Sequence, residues 1–208
     1  YDEDVASETE KIPFTISDNE IDKRLDSRNL LTFTIDGANS KDFDDALSVE
    51  WINGQIKVGV HIADVSYFID VGSPLDTEAR KRATSVYLVQ KVVPMLPPIL
   101  CEQLCSLNPN VDRLAFSCIW QMNEDGTLCE DVSPWFGRTI IRSCAKLDYP
   151  TAQRMIDGVI PCTPSQGGGG ATRIELAVIK ILQEFRDHSE GRQYSNGNAA
   201  FHQQYCLR

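Results

Sequence analysis

The chain has 208 residues, of which 42 % are hydrophobic, and it carries a formal net charge of −10. This length and hydrophobic content predict one well-buried core, as one domain or one domain with a tail. The acidic balance argues against an indiscriminate nucleic-acid binder, and the most apolar stretch, residues 86–100, contains a lysine and three prolines and cannot cross a bilayer.

Residues 1–30 are acidic and rich in turn-forming residues, with nine acidic and four basic side chains. The start, YDEDVASETE, lacks the cationic segment of a secretory leader, so we expect no leader here. We interpret residues 1–30 as a linker or as the edge of a preceding module. The seven cysteines form no CxxC pair, which favours reduced cysteines in an intracellular protein.

Strands are predicted where β-branched and aromatic residues are dense or alternate with polar ones. Asn53-Gly54 is a strong hairpin signal between two of these strands. The predicted strands are residues 30–36, 46–51, 56–69, 114–122, 128–131 and 136–143.

Helices are predicted between these strands. Ser73-Pro74 is a good helix start, and we expect that helix to reach about Gln90. A short helix with Leu100, Leu104 and Leu107 on one side follows. Further helices are predicted over residues 149–156 and, after the flexible joint SQGGGG, over residues 174–185. The predicted class is therefore α+β, a mainly antiparallel sheet flanked by helices.

Four aspartates stand between the first two strands: Asp36, Asp42, Asp44 and Asp45. Gly37 permits a sharp turn after the first strand, so the carboxylates can surround a space instead of forming a row. Without a cation their repulsion would cost several kcal/mol, roughly, and would force some of them to be protonated. Hard oxygen ligands with positions left for water and phosphate suit Mg²⁺, and a pair of such ions can support phosphoryl displacement.

Two other interpretations of the aspartates stay open at this point. Aspartate-rich loops are usually solvated surface, although these aspartates are flanked by strands that favour burial. A calcium loop of the helix–loop–helix type would need D-x-[DN]-x-[DN]-G and a closing glutamate, and both are missing.

The spacing T-I-D-x₅-D-x-D-D-A resembles the signature of the RNB catalytic domain of the RNase II/RNase R family of 3′→5′ exoribonucleases. Four later segments resemble the same domain in the same order. Their residues are most similar to those of a eukaryotic Dis-three-like branch of the family. That branch acts in the cytoplasm without the exosome and prefers RNA with 3′ oligouridine tails. The four segments are HIADVSYFI (61–69), RATSVYLVQKVVPMLP (82–97), LCEQLCSLNP (100–109) and WFGRTIIRSCAKLDY (135–149).

The resemblance implies a role for each site residue. Asp36, Asp42, Asp44 and Asp45 would hold Mg²⁺, with Mn²⁺ as a possible substitute, and Asp42 and Asp44 would be catalytic. Loss of Asp44 should damage chemistry most.

The resemblance also implies an RNA-contacting role for two tyrosines. Tyr87 would stack on the last base near the cut, and Tyr149 would be a second tyrosine at the active site. Each tyrosine also has an alternative that stays open. Periodicity alone favours Tyr87 as a core residue of an amphipathic helix, and Tyr149 is equally compatible with a packing residue at a helix start.

The function implied is Mg²⁺-dependent hydrolysis of single-stranded RNA from a free 3′ end, in a cytoplasmic, monomeric enzyme that needs no DNA or membrane. Residues 1–30 would be a linker or the edge of a cold-shock-type domain, and residues 31–208 the N-terminal part of the RNB domain. The later active-site residues of the family are expected beyond residue 208. A non-catalytic RNA-binding relative or an inactive truncated fragment is therefore the alternative.

Overall fold

The computed structural model describes residues 1–52, 54–123, 127–157 and 159. Their main feature is one seven-stranded sheet with the order β1-β8-β7-β4-β3-β2-β9, beside a two-stranded hairpin of β5 and β6. The strands are Leu25–Asp26 (β1), Thr32–Asp36 (β2), Asp45–Ile52 (β3), Gln55–Ala63 (β4), Val86–Tyr87 (β5), Val92–Val93 (β6), Asp112–Met122 (β7), Trp135–Arg142 (β8) and Ala145–Asp148 (β9).

The centre of the sheet is antiparallel, and its two edges are parallel. β2, β3, β4, β7 and β8 pair antiparallel with one another in sheet order, whereas β1 pairs parallel to β8 and β9 pairs parallel to β2. The β3–β4 hairpin closes from Ile52 to Gln55, and Gly54 takes a φ of +80°, which a residue without a Cβ adopts easily. The predicted α+β class with a mainly antiparallel sheet is confirmed.

Four α-helices flank the sheet in the described part of the chain: Glu3–Glu10 (α1), Asp18–Ile21 (α2), Pro74–Arg82 (α3) and Tyr149–Ile156 (α4). Ser73 caps α3 as predicted, because its hydroxyl accepts from the Asp76 amide at 3.2 Å. Tyr149–Ile156 matches the predicted helix at both ends.

The prediction that α3 reaches Gln90 is wrong. The helix ends at Arg82, and Ala83 takes a φ of +65° that stops the helical path. The β-branched residues that follow form the β5–β6 hairpin, in which Val86 pairs with Val93. Preference for strand structure after residue 85 therefore overrides the continuing apolar pattern.

Other predicted ends differ from the structure in smaller ways. β4 stops at Ala63, and Val65–Phe68 form a single 3₁₀ turn instead of a longer strand. The strand predicted for residues 128–131 is reduced to one bridge between Met122 and Leu128. β9 was not predicted. The joint at 165–170 and the helix at 174–185 lie outside the described residues.

The core lies between one face of the sheet and the helices. Small residues of three neighbouring strands, Ala46 of β3, Ala63 of β4 and Ala115 of β7, pack against larger apolar side chains from the connecting segments. Leu100, Leu104 and Leu107 are buried there, as predicted, although Ile99–Leu104 form one wide π-type turn instead of a short α-helix. The small strand residues leave room for the large ones opposite them.

The N-terminal segment packs on the same core. Val5 of α1 is buried within it, and the backbone of Leu25 and Asp26 continues the sheet beside β8. Arg24 is fully buried and ties this segment to the strands through Asp64, at 2.8 Å between Nη2 and Oδ2. That residues 1–30 border a preceding domain stays a prediction.

Within the described part of the chain, no helix has the length and apolar character needed to cross a membrane. Cys101, Cys105, Cys118, Cys129 and Cys144 are free thiols.

Candidate active site

The four aspartates lie beyond the ends of two inner strands of the sheet, where β2 ends and β3 begins. Asp36 is the last residue of β2 and Asp45 the first of β3, while Asp42 and Asp44 stand in the segment between them. The β2–β3 pairing brings the two strand ends together, since Phe33 lies opposite Leu47. The segment 37–44 is called the aspartate loop below.

Phe43 fixes the direction in which the aspartate loop faces. Its side chain is 2 % exposed and belongs to the main core. In an extended chain successive side chains point to opposite sides, so Asp42 and Asp44 face away from the core when Phe43 enters it. A single buried aromatic residue therefore helps to present two carboxylates on the outer side of the loop.

Burial and mutual repulsion raise the pKa of two of these carboxyl groups. Burial is the main cause for Asp36, and the negative charge of Asp45 adds to it, so its pKa rises to about 6. The pKa of Asp44 is also raised, because surrounding protein atoms partly desolvate its carboxylate and because Asp42 and Asp45 lie nearby. The four aspartates thus affect one another electrostatically.

The fit of this site to a divalent cation depends on its oxygen atoms. In the residues that the structure describes, no group of three or more acidic, histidine or cysteine side chains is arranged to hold a metal ion. However, Oδ2 of Asp36 is buried and finds no hydrogen-bond partner within the described part of the chain. An orphaned buried carboxylate oxygen among like charges is the donor that a hard cation would satisfy. The residues present therefore fit Mg²⁺ in their chemistry.

Tyr87 lies beside the aspartates. It is on strand β5, not on a helix, and its side chain is 69 % exposed, so the alternative of a core tyrosine is wrong. Its hydroxyl donates a long hydrogen bond of 3.5 Å to Oδ2 of Asp42. The charge of Asp42, followed by partial burial, raises the pKa of Tyr87. The ring is thus open to solvent at the edge of the acidic site.

Tyr149 leaves the sheet on the same side as Asp36. β2 and β9 are parallel, and Asp36 lies opposite Asp148 in the register. Asp148 caps α4 by accepting from the Thr151 amide at 2.6 Å, and Tyr149 is the first residue of that helix. Because β2 and β9 are parallel, their C-terminal ends lie side by side, and Tyr149 therefore begins close to Asp36. Tyr149 has 45 % of its surface exposed.

His61 and Asp64 have structural roles. His61 is fully buried, with Nδ1 2.6 Å from the Ser117 hydroxyl and Nε2 2.8 Å from that of Ser48. Burial lowers the pKa of His61 to about 4, which keeps the ring neutral at physiological pH. Asp64 pairs with the buried Arg24.

Two basic residues of β8, Arg138 and Arg142, are candidates for contacts with RNA phosphates and are engaged with carboxylates. Arg142 forms an ion pair with Asp112 at 2.7 Å, and Nε of Arg138 lies 3.8 Å from Oδ2 of Asp64. Both arginines keep about half of their side chain exposed, at 51 % and 57 %. They stay candidates for phosphate contacts, as does the exposed Lys91.

Sequence reasoning missed Cys101 as a neighbour of the site. Burial raises the pKa of the Cys101 thiol, and a hydrogen bond to the Leu96 carbonyl opposes that rise. The negative charges of Asp44 and Asp42 raise the pKa further, which shows that Cys101 lies near them. No local pattern in LCEQLCSL indicates that proximity, since it depends on how the segment folds back over the aspartate loop.

Comparisons with known proteins place this geometry in a family. The RNB domain family matches residues 24–203. DIS3-like exonuclease 2 of Xenopus tropicalis is 56 % identical over 147 residues, covering 70 % of this chain and 17 % of the relative. A protein of Arabidopsis thaliana described as inactive exonuclease DIS3L2 is 51 % identical over 149 residues, covering 71 % of this chain and 14 % of its own length.

Solved structures show the same fold. Mycoplasma genitalium RNase R in complex with double-stranded RNA superposes with a TM-score of 0.71 at 26 % identity, covering 89 % of this chain and 32 % of that one. Its complex with ribose methylated single-stranded RNA gives 0.68 at 25 % identity, covering 88 % and 28 %. The chain spans less than a fifth of the length of the curated relatives described above. The family prediction is confirmed: the chain belongs to the RNB domain family of the RNase II and RNase R type and resembles the DIS3-like exonuclease 2 relatives within it.

Proposed function

We propose that this chain is part of an Mg²⁺-dependent exoribonuclease that hydrolyses single-stranded RNA from a free 3′ end and releases 5′-mononucleotides. One observation carries the proposal. A chain of the RNB domain family gathers four carboxylates at the ends of two neighbouring strands, and a buried oxygen of one of them, Oδ2 of Asp36, has no hydrogen-bond partner among the residues that the structure describes. Such an arrangement is costly in a structural role and useful in a cation site.

The aspartates would share the work of that site. Asp36, which pairs with β9, and Asp45, which pairs with β4, would bind Mg²⁺. Asp42 and Asp44 on the aspartate loop would complete the site. When bound, Mg²⁺ supplies positive charge that stabilises phosphodiester cleavage. The chain's own contribution is to hold the carboxylates in place and to keep Asp36 partly out of water.

The tyrosines would bind the RNA. Tyr87 offers an exposed ring whose hydroxyl already contacts Asp42, so a base stacked on it would lie next to the acidic site. Stacking is worth about 1–3 kcal/mol per base and tolerates any base. Tyr149 would contact the RNA from the adjoining strand end. The RNA complexes solved for RNase R of Mycoplasma genitalium support RNA as the substrate class.

Finer properties follow from the resemblance to the DIS3-like exonuclease 2 relatives. We propose a preference for 3′ oligouridine tails, a role in mRNA decay in the cytoplasm, and a monomer that works without the exosome and without DNA. Mn²⁺ is expected to replace Mg²⁺, since both accept carboxylate oxygens.

The test is degradation of a 5′-labelled RNA with an oligouridine tail by the full-length protein in Mg²⁺. Asp44→Asn should lower the rate by about a hundredfold or more, because loss of even an outer partner of a metal site costs about 10–100-fold. Asp131→Asn is the matched control, since Asp131 is exposed near Gln55, at the opposite end of the β3–β4 hairpin. An Asp44→Asn rate within a few-fold of wild type would contradict the assigned role.

A non-catalytic RNA-binding relative is the second candidate. Two observations favour it: the Arabidopsis relative is described as inactive, and no metal-holding group is formed among the residues described in the structure. RNA affinity measured with and without EDTA separates the two functions. A pure RNA binder would bind equally in both conditions and release no mononucleotide.

A further inference from the structure

The aspartate loop needs a device that holds it against its own charge. Asp42, Asp44 and Asp45 repel one another and Asp36, so an unrestrained loop would open and separate the carboxylates. The ends of the loop are held by neighbouring strands, since Asp36 pairs with Asp148 of β9 and the Asp44 carbonyl accepts from the Ala63 amide at 2.8 Å, whereas Asp42 lies between these ends. The contacts of the backbone on either side of Asp42 therefore decide whether the site stays assembled.

One buried hydroxyl bonds to both peptide groups that flank Asp42. Oγ of Ser106 accepts from the Phe43 amide at 3.0 Å and donates to the Lys41 carbonyl at 3.0 Å. The Lys41 carbonyl belongs to the peptide unit before Asp42, and the Phe43 amide to the unit after it. Peptide units are planar, so fixing both of them fixes the two backbone dihedrals of Asp42.

Ser106 is itself held rigidly. It is fully buried, and its carbonyl accepts from Nε of Arg113 at 2.8 Å. The next residue, Leu107, is 1 % exposed in the main core, and its amide donates to the Phe43 carbonyl at 2.9 Å. Ser106 and Leu107 therefore attach the aspartate loop to the buried core through hydrogen bonds.

We propose that Ser106 is a positioning residue that clamps Asp42 within the cation site. It touches neither substrate nor reacting atoms. Its hydroxyl is the hydrogen-bond partner of the Phe43 amide and of the Lys41 carbonyl. In this way it keeps Asp42 beside Asp44, with Oδ2 of Asp42 3.5 Å from the Tyr87 hydroxyl. The clamp is a property of the structure, whereas its consequence for cation binding and catalysis rests on the proposed function.

Ser106→Ala removes the hydroxyl at nearly constant volume and leaves the Phe43 amide without its partner. Ser143→Ala is the matched control, because Ser143 is also buried, at 1 % exposure, and its hydroxyl donates to a backbone carbonyl, that of Ala145 at 3.0 Å. Ser106→Cys is the second variant in case alanine prevents folding. The thiol keeps a weak donor and acceptor and should give a smaller effect in the same direction.

Two readouts separate a clamp from a general packing role. The first is hydrogen exchange of the Phe43 amide in the 208-residue chain without metal, which should become about tenfold faster in Ser106→Ala and unchanged in Ser143→Ala. The second is calorimetric titration of the same chain with Mg²⁺ or Mn²⁺, in which Ser106→Ala should weaken the Kd about tenfold and the control less than twofold.

Kinetics of the full-length protein extend the test. Ser106→Ala should lower kcat by about 10²-fold with KM for RNA within twofold, because a small misplacement of a site carboxylate affects chemistry more than RNA binding. A folded variant whose Phe43 exchange and cation affinity both match wild type would overturn the clamp. If the wild-type protein binds no cation, the proposed function fails. Hydrogen exchange of the Phe43 amide in Ser106→Ala still tests separately whether Ser106 restrains the loop.

Discussion

Asp36→Asn should make the metal-free protein more stable at neutral pH, although it removes a group assigned to the active site. The carboxylate of Asp36 is partly buried beside three like charges, and these causes raise its pKa from 3.8 to about 6. An ionised Asp36 therefore destabilises the folded state. An amide of the same shape has no charge, so the substitution removes repulsion as well as a cation ligand.

The magnitude follows from the pKa. One pKa unit corresponds to 1.36 kcal/mol, so a rise of about two units bounds the cost at about 3 kcal/mol. Asp36 is only partly buried, and solvent screening reduces this to about 1–2 kcal/mol. The folded state holds more protons than the unfolded chain between pH 3.8 and about 6, so this cost grows as pH rises through that window and is complete above it.

Urea denaturation in EDTA at pH 7.5 and at pH 4 measures the effect. We expect Asp36→Asn to gain about 1–2 kcal/mol at pH 7.5 and almost nothing at pH 4. Asp26→Asn is a control of opposite sign, because hydrogen bonds from Arg28 lower the pKa of Asp26 to about 2, so its loss should destabilise the protein at pH 7.5. An Asp36→Asn protein that is less stable than wild type at pH 7.5 would refute the electrostatic reasoning.

Two further predictions concern groups outside the site. Arg24→Ala should lower the free energy of unfolding by about 3–5 kcal/mol, since it removes the closer and fully buried partner of Asp64 and leaves that carboxylate facing Arg138 at 3.8 Å. Arg28→Ala at the surface should cost at most about 1 kcal/mol. Urea denaturation compares the two variants, and equal losses would contradict the buried ion pair. His61 has its pKa lowered to about 4, so its contribution is present above pH 6.5 and is lost as pH falls towards 4. The stability difference between wild type and His61→Gln should therefore shrink by about 2 kcal/mol from pH 7.5 to pH 5, and a difference independent of pH would show that the ring does not stay neutral in the fold.

The local signals of the sequence predicted most of the central sheet. Alternation and β-branched residues located β2, β3, β7 and β8, and the Ser73 cap and the Tyr149 start located two helices, because these features depend on neighbours in the sequence. The end of α3 was misplaced, since the apolar pattern continues past Ala83 while the backbone turns there. β9 was missed because its four residues form a strand only by pairing with β2.

For the site, the sequence supplied a hypothesis about which residues act together. The spacing of Asp36, Asp42, Asp44 and Asp45 indicated a shared site, and their mutual effect on pKa agrees with that. The sequence left Tyr87 between two interpretations, and only the hairpin decided that it is exposed. The metal-binding and catalytic roles stay predictions that the experiments above test.

By itself, the sequence determined the acidic cluster, the strand pattern around it and the family to which the chain belongs. Only the tertiary structure decided which distant groups meet that cluster: the Tyr87 hydroxyl, 45 residues from Asp42, and the Ser106 hydroxyl, 63 residues from the Phe43 amide. Charges in one short segment repel one another whatever the fold, so the cluster can be recognised from the local sequence. A hydrogen bond between remote residues depends on how the chain closes around its core, and no local pattern encodes that closure.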